Sequence, residues 1–330
     1  MKLLTFTTLY PNAAAPDHGV FVENRLRRLV QSGSVEARVI APVPWFPFRH
    51  RMFGAYAAFA AAPRSERRHG LEIDHPRYPA IPAVGMRVAP WLLYRWALPA
   101  VRRLIASGYD FDLIDAHYFY PDGVAAAAIA RAVGKPLAIT ARGTDINLIP
   151  DYPFARRRIL HAAAQADALI AVCKALKDEM VSLGMEADRI AVLRNGVDLD
   201  LFRPPDNEGA RAAQRARFNM DGPTLLSVGH LIERKGHDLV IAALAGLPDC
   251  RLVIAGAGPE DAALRALADR MGVADRVTFA GRMAHDELPA LYGAADALVL
   301  ASSREGWANV LLEAMACGTP VAATAIWGTP

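Results

Sequence analysis

The sequence predicts an α/β protein made of two doubly wound parallel sheets, and three observations predict it. Short apolar runs of strand length alternate with segments whose apolar residues recur at helical spacing. That rhythm starts afresh after the loop at 202–208, which holds two prolines and two acids. A chain of 330 residues is also long for a single hydrophobic core, so two cores are expected. The boundary is placed in that loop, giving Rossmann-like domains over residues 1–203 and 204–330 that face each other across a cleft.

The opening Met1-Lys2-Leu3-Leu4-Thr5-Phe6-Thr7-Thr8-Leu9 reads as a buried first strand over 3–9. It lacks the small-residue cleavage site of a signal peptide and runs directly into loop and helix signals. A helix over 20–31 follows, then a strand at 36–43, a helix at 90–106, a strand at 112–116 and a helix at 123–132. Strand 137–140, helix 154–164 and strands 168–172 and 190–193 complete the first domain. In the second, strands at 224–228, 251–255, 276–280, 297–301 and 321–324 are separated by helical segments. The chain stops at Trp327-Gly328-Thr329-Pro330, a turn directly after a strand without a closing helix, so the second domain reads as truncated. Sheets of this class bind ligands beyond the carboxyl ends of their strands, which points to the loops found there.

Composition sets limits on partners and compartment. With 53% hydrophobic and 22% charged residues the chain is an ordinary globular sequence, and no apolar run approaches the roughly 18 residues of a membrane span. Cys173, Cys250 and Cys317 are scattered and form no Cys-x-x-Cys pair, which fits neither disulfides nor zinc and suits a reducing cytoplasm. The net charge of +3 hides an asymmetry: +6 over residues 1–200 and −3 over 201–330. Residues 45–105 carry 10 arginines against Glu66, Glu72 and Asp74, together with Trp45, Phe46, Phe48, Phe53, Tyr56, Phe59, Trp91, Tyr94 and Trp96. This mixture fits an anionic membrane surface or lipid carrier, where each basic group adds on the order of 1 kcal/mol. It fits equally an arginine rim snorkelling over an ordinary core. No nucleic-acid-binding motif accompanies the charge, so nucleic acid is not expected as a partner.

The segment Glu305-Gly306-Trp307-Ala308-Asn309-Val310-Leu311-Leu312-Glu313 is the richest in chemistry. It places two carboxylates eight residues apart across a loop-to-helix junction behind a buried strand. Helical side chains lean toward the N-terminus, so Glu313 can reach back over the first-turn N–H groups of a helix spanning 308–316, where an anion would sit. A carboxylate accepts two hydrogen bonds from a vicinal diol, while Glu305 on the loop faces what lies beyond a phosphate. Gly306, Ala308 and Asn309 suit a backbone that approaches a ligand closely. Together these features fit a nucleotide-sugar diphosphate. Two exposed glutamates on a loop and a helix are the plainer alternative. Strand 224–228 likewise opens into Gly229-His230-Leu231-Ile232-Glu233-Arg234-Lys235-Gly236. There Gly229 admits close backbone approach, and Arg234 and Lys235 stand where a departing diphosphate would need positive charge.

These two segments, with Asn195-Gly196-Val197-Asp198, Ala255-Gly256-Ala257-Gly258-Pro259-Glu260 and Glu313-Ala314-Met315-Ala316-Cys317-Gly318-Thr319-Pro320, resemble the retaining glycosyltransferases of family four, the group 1 glycosyl transferases of the GT-B fold. The likeness extends over nearly the whole chain. It implies metal-independent transfer of a sugar from a nucleotide donor to a glycan or lipid-linked acceptor in cell-surface polysaccharide assembly, at the inner face of the cell membrane. It also implies that the C-terminal domain holds the donor, with Lys235 on the diphosphate, Glu313 on the ribose, Glu305 on the donor sugar or its phosphate, and Trp307, Ala308, Asn309 and Val310 lining the pocket. His117, after Asp115-Ala116, and Asp145, in Ala141-Arg142-Gly143-Thr144-Asp145, resemble active-site positions at strand ends projecting toward the cleft. Gly19 resembles the second glycine of a loop after the first strand. His230 stands where the family usually has Arg, and Arg142 where it usually has His; Arg cannot shuttle a proton but can neutralise phosphate.

Other signals are set aside. Gly256-Ala257-Gly258 lacks the third glycine of a dinucleotide fingerprint, Asp261 standing in its place. Asp110-Phe111-Asp112 and Asp198-Leu199-Asp200 match a metal-binding D-x-D, but the first leads into a buried strand and the second follows an Asn-Gly turn. No metal and no cofactor beyond the donor itself are expected. A nucleotide-sugar epimerase and a nucleotide-sugar-binding pseudoenzyme are the competing readings.

Overall fold

The computed structural model of the chain describes residues 1–16, 18–46, 48, 50, 52, 59–79 and 85–329; Phe53, Tyr56, Arg49 and Arg51 of the basic stretch and the terminal Pro330 lie outside them. The chain divides into two units, Met1–Asn195 and Gly196–Pro330. The loop chosen from the sequence lies a little beyond this division, because Phe202 is buried in the second core and Val197 and Leu201 pack against that core.

In the first unit the strands are β1 Lys2–Phe6, β2 Glu36–Ile40, β3 Val43–Trp45, β4 Ser65–Arg68, β5 Leu71–Asp74, β6 Arg77–Pro79, β7 Leu113–His117, β8 Leu137–Ala141, β9 Ala168–Ala171 and β10 Ile190–Val192. Eight of them form one sheet in the order β10-β9-β8-β7-β1-β2-β5-β4, and β3 pairs with β6 apart from it. Every pairing in the large sheet is parallel except β4 with β5. The second unit has β11 Thr224–Val228, β12 Arg251–Ala255, β13 Val277–Gly281, β14 Ala297–Leu300 and β15 Val321–Ala323 in one wholly parallel sheet, order β13-β12-β11-β14-β15. Alternate residues of a strand face opposite sides, and both sides of this sheet are covered. Leu252 and Ile254 pack under the helices His237–Leu244 and Asp261–Arg270, while Val253 and Ala255 join the cluster beneath Leu288–Ala294 and Asn309–Ala316. Removal of each such large apolar side chain from water contributes about 1.5–3 kcal/mol.

The sequence-based elements differ from these in instructive places. The single strand expected over 36–43 stops at Ile40 and resumes as β3, since Pro42 and Pro44 donate no ladder hydrogen bond. The β4–β5 hairpin was not foreseen. Its strand Ser-Glu-Arg-Arg is polar, and its turn places His69 and Gly70 at φ 48° and 83°, the left-handed pair that matches hairpin twist. Arg68 donates from Nε to the buried Glu23 Oε1 at 2.7 Å, fastening the hairpin to the helix Val20–Gln31. The long helix begins at Gly85 rather than Pro90.

Both sheets reverse their winding beside their first strand, between β1 and β7 in one unit and between β11 and β14 in the other. Ligands of such sheets sit at these switch points, beyond the strand ends. In the second unit the approach is tight. Gly236 has φ 66°, and a Cβ there would lie 2.2 Å from the carbonyl oxygen of Ala301, the first residue past β14. Gly272 has the same φ with nothing within 4 Å of its Cβ position. Gly236→Ala is therefore expected to destabilise the unit by about 2–5 kcal/mol and Gly272→Ala by about 1–2 kcal/mol, the difference being backbone collision over and above φ strain. Urea unfolding of the two variants checks this; equal losses would show that the collision is relieved.

Candidate active site

In the second unit two loops leave neighbouring strands and meet. After β11 the chain passes Gly229 and the exposed His230 into the turn Glu233–Lys235; after β14 it passes Ser302 to Ala308 into the helix Asn309–Ala316. The backbone N–H of Ser303 donates to Arg234 O at 2.9 Å, and Arg234 Nη1 donates to Arg304 O at 2.6 Å. These bonds stitch the loops together. Lys235 Nζ donates to Glu305 Oε1 at 2.7 Å, Ser302 Oγ donates to the same oxygen at 2.7 Å, and Arg234 Nη1 stands 3.5 Å from Oε2. Glu305 is 6% exposed. The plainer sequence alternative left it as an exposed loop residue; the structure buries it, and because a carboxylate removed from water needs partners, the β11 loop supplies two cations. Both cations thus face this one buried carboxylate.

Glu313 lies one turn into its helix, 8% exposed. Both of its oxygens are engaged: Tyr292 Oη donates to Oε2 at 2.9 Å, and His285 Nε2 lies 3.2 Å from Oε1. The hydrogen bond to Glu313, working against burial, raises the His285 imidazole above its usual value, with Asp286 and Asp198 adding to it. Sequence reading missed Tyr292, His285 and Ser302. Their separations from Glu313 and Glu305 follow no local period that would have flagged the first two, whereas Ser302, three residues before Glu305, was visible as a close polar neighbour. The helix starts from Ala308, which has no side-chain oxygen to cap the first-turn amides. Ala308 is buried; Trp307, Asn309 and Val310 are partly so.

In the first unit, His117 ends β7 and Arg142 follows β8, its neighbour in the sheet. Arg142 Nη2 lies 2.7 Å from His117 Nδ1, and Nε2 of the same ring lies 3.1 Å from Asp115 Oδ2. A guanidinium can only donate, so Nδ1 accepts and the proton resides on Nε2, facing Asp115. Arg142 also donates to Asn195 Oδ1 at 3.1 Å and lies over the Phe21 ring at 5.2 Å. Burial, reinforced by Arg142 against the pull of Asp115, brings His117 down to about 4. Burial raises the Asp115 carboxyl, but His117, Arg25 and Arg142 more than reverse that and hold it below its usual range. Burial also lowers Arg142, to about 9.

Two sequence expectations change here. His117 is 1% exposed with both nitrogens engaged inside the unit, so in this arrangement it holds Arg142 rather than projecting outward. Asp145 is fully buried, its carboxylate accepting from the backbone N–H groups of Phe119 at 2.7 Å, Arg142 at 3.0 Å and Gly143 at 2.8 Å. It fixes the two loops and does not project from them. Gly19 packs against the loop after β1: its φ is 75°, and a Cβ would meet Leu9 C and O at 2.3 Å. Asp122 binds that loop from the β7 side, accepting from Thr8 N at 2.6 Å and Thr7 Oγ1 at 3.1 Å. Of the D-x-D carboxylates, Asp110 pairs with Lys135 at 2.6 Å and Asp112 accepts from Lys2 N at 2.8 Å. Among the described residues no group of three or more His, Cys, Asp or Glu is arranged to hold a metal ion.

Comparison with known proteins adds the following. The sequence profile described as Glycosyltransferase Family 4 matches residues 19–201, and that described as Glycosyl transferases group 1 matches residues 210–330. The putative teichuronic acid biosynthesis glycosyltransferase TuaC of Bacillus subtilis is 29% identical over 99% of this chain and 82% of its own length. D-inositol 3-phosphate glycosyltransferase of Mycobacterium tuberculosis is 39% identical over 50% of this chain and 35% of its own length. Among solved structures, sucrose-phosphate synthase from Thermosynechococcus elongatus superposes with a TM-score of 0.78 at 21% identity, covering 99% of this chain and 82% of that one. Anabaena Alr3699/HepE in complex with UDP-glucose gives 0.70 at 20% identity, covering 99% and 81%. These structural likenesses establish the GT-B fold.

The His117 environment has a measurable consequence. A histidine held below its ordinary value takes up a proton in the unfolded chain first, so stability is lost as pH falls from about 6.5 toward about 4, by up to about 1.4 kcal/mol per pH unit. His117→Asn is expected to lessen this loss relative to the unmodified chain. Urea unfolding at pH 7, 6 and 5 checks it, and parallel pH dependences would contradict the buried neutral imidazole.

Proposed function

The chain belongs to glycosyltransferase family 4, and from that premise we propose that it moves a sugar from a nucleotide-sugar donor to a glycan or lipid-linked acceptor with retention of anomeric configuration, without a metal ion, in cell-surface polysaccharide assembly. One observation carries this reading. At the switch point of the second sheet, Lys235 and Arg234 gather at Glu305, and the uncapped start of the helix bearing Glu313 follows the same loop. The diphosphate is received by Lys235, Arg234 and first-turn amides, the ribose by Glu313, and the donor sugar by Glu305 once Lys235 turns to phosphate. The exposed His230 contributes a further donor in place of the family's usual Arg. The first unit receives the acceptor, with Arg142 as the group beside it. The UDP-glucose named with the HepE structure and the teichuronic acid pathway named for TuaC support donor and context.

Chemistry follows a front-face course. The acceptor hydroxyl oxygen bonds to the anomeric carbon on the side from which diphosphate departs, the carbon–oxygen bond to phosphate breaks, and the hydroxyl proton passes to the leaving phosphate oxygen. The protein's task is to stabilise charge on that leaving group, and a preorganised donor is typically worth about 3–4 kcal/mol. The cations Lys235 and Arg234 supply what a metal would otherwise supply.

Calorimetry with UDP-, GDP- and ADP-sugars, followed by NMR of the product's anomeric configuration, tests the proposal. One donor is expected to bind and to be transferred with retention in the presence of EDTA. Lys235→Ala is expected to lower kcat/KM by about 100-fold or more. An inverted product, or activity abolished by EDTA and restored by a divalent ion, would overturn the mechanism; isomerisation of the donor without an acceptor would identify an epimerase.

The same reading puts the first unit at the cytoplasmic face of an anionic membrane. Its support is the exposure of Trp45, Phe48, Trp91 and Trp96 at 55, 56, 59 and 40%, with Arg95 lying 5.8 Å from the Trp96 ring. No helix among the described residues is long and apolar enough to cross a membrane. Co-sedimentation with phosphatidylglycerol vesicles is expected, with none on phosphatidylcholine and a clear loss in Trp91→Ala/Trp96→Ala; indifference to lipid charge would refute this.

A further inference from the structure

Glu313 is gripped in an unusual way for a helical glutamate. Its two oxygens are taken by different elements: Oε2 by the phenol of Tyr292 in the helix Leu288–Ala294, and Oε1 by His285 in the loop before that helix. Tyr292 is fully buried. Phe202, buried and arriving from the segment ahead of β11, sets its ring 5.1 Å from that of His285 and 6.1 Å from that of Tyr292, so the two partners are braced by one aromatic wedge. Burial and the neighbouring carboxylate push the Tyr292 phenol well above its ordinary value, which keeps it a donor.

A glutamate left to itself samples several rotamers and turns its carboxylate about a soft terminal torsion, and a ligand that needs one orientation must overcome that freedom. Two donors on two different oxygens remove it in advance. Each carboxylate oxygen accepts two hydrogen bonds, so with one taken on each, one remains on each: a pair of parallel acceptors, the arrangement a vicinal diol requires. Resting on the reading of Glu313 as the ribose contact, we propose that His285 and Tyr292 are positioning residues which orient the Glu313 carboxylate and thereby set the preference of the site for ribose over a pentose lacking its hydroxyls. The charged groups around them are few: Asp286 and Asp198 act on His285, and Cys317 lies near Tyr292 and Glu313.

The test compares each nucleoside diphosphate with its 2′,3′-dideoxy counterpart by calorimetry. UDP, GDP and ADP are first titrated into the unmodified protein to find which binds. That nucleotide and its dideoxy form are then titrated into His285→Ala, His285→Gln, Tyr292→Phe and Glu313→Ala. The unmodified protein is expected to favour the ribo form by at least ten-fold, and Glu313→Ala to abolish the preference. His285→Ala and Tyr292→Phe are each expected to weaken ribo binding by about ten-fold while leaving dideoxy binding nearly unchanged, and His285→Gln, which keeps a donor near Nε2, to restore most of the loss. In turnover the donor KM rises and kcat holds, the pattern of lost ground-state contacts. A purely structural loss would weaken both nucleotides alike. Full ribose preference in His285→Ala and Tyr292→Phe, with the preference lost in Glu313→Ala, overturns this inference alone. Absence of any preference in the unmodified protein overturns the ribose role of Glu313 and the inference with it.

Discussion

The parallel pairing of β11 with β14 is the constraint on which the second unit's chemistry depends. These strands are far apart in sequence, and their pairing is what puts two loops from different stretches of chain within hydrogen-bonding reach. The fit is fixed by backbone before any side chain is considered: Gly236 sits against the Ala301 carbonyl, and the Ser303 amide bonds to Arg234 O. Only then can Lys235, Arg234 and Glu305 balance one another. The first unit follows the same plan with different materials. There the pairing of β7 with β8 sets His117 beside Arg142, and Asp145 clamps both loops through their amides.

Electrostatics in the two units run in opposite senses. In the first, a neutral imidazole is held between a guanidinium and a carboxylate, and His117 serves as a relay of hydrogen bonds rather than as a titrating group near neutrality. In the second, the acids are buried and already paired with neighbouring donors, Glu305 with Lys235 and Glu313 with Tyr292 and His285. Arg142 belongs to the first arrangement: its guanidinium lies over Phe21 and is directed by both His117 and Asn195.

What the sequence made legible was whatever has a short-range signature. Apolar runs marked the strands because parallel sheets are covered on both faces, and glycine-bearing loops after them marked the segments that meet beyond β11 and β14. The Lys235 and Glu305 segments stood out for that reason. Side-chain direction was not legible. Asp145 was set projecting toward the cleft, yet it turns inward to the Phe119 amide, and the Lys235 partner of Glu305 likewise comes from the loop of a neighbouring strand. Tyr292 and His285 escaped notice because their link to Glu313 exists only once the helices have docked. The β4–β5 hairpin was lost to its polar composition, although the His69-Gly70 turn carried a readable hint.

The ion pair between Glu305 and Lys235 has a consequence for selectivity. A tethered carboxylate 2.7 Å from the ammonium acts as a resident competitor at very high effective concentration, so a simple anion from solution gains little by displacing it. An occupant must offer the evicted carboxylate new hydrogen-bond donors as well as offering the ammonium a charge. A diphosphate that carries a polyol would do both, whereas chloride offers the ammonium a charge and the carboxylate no donor.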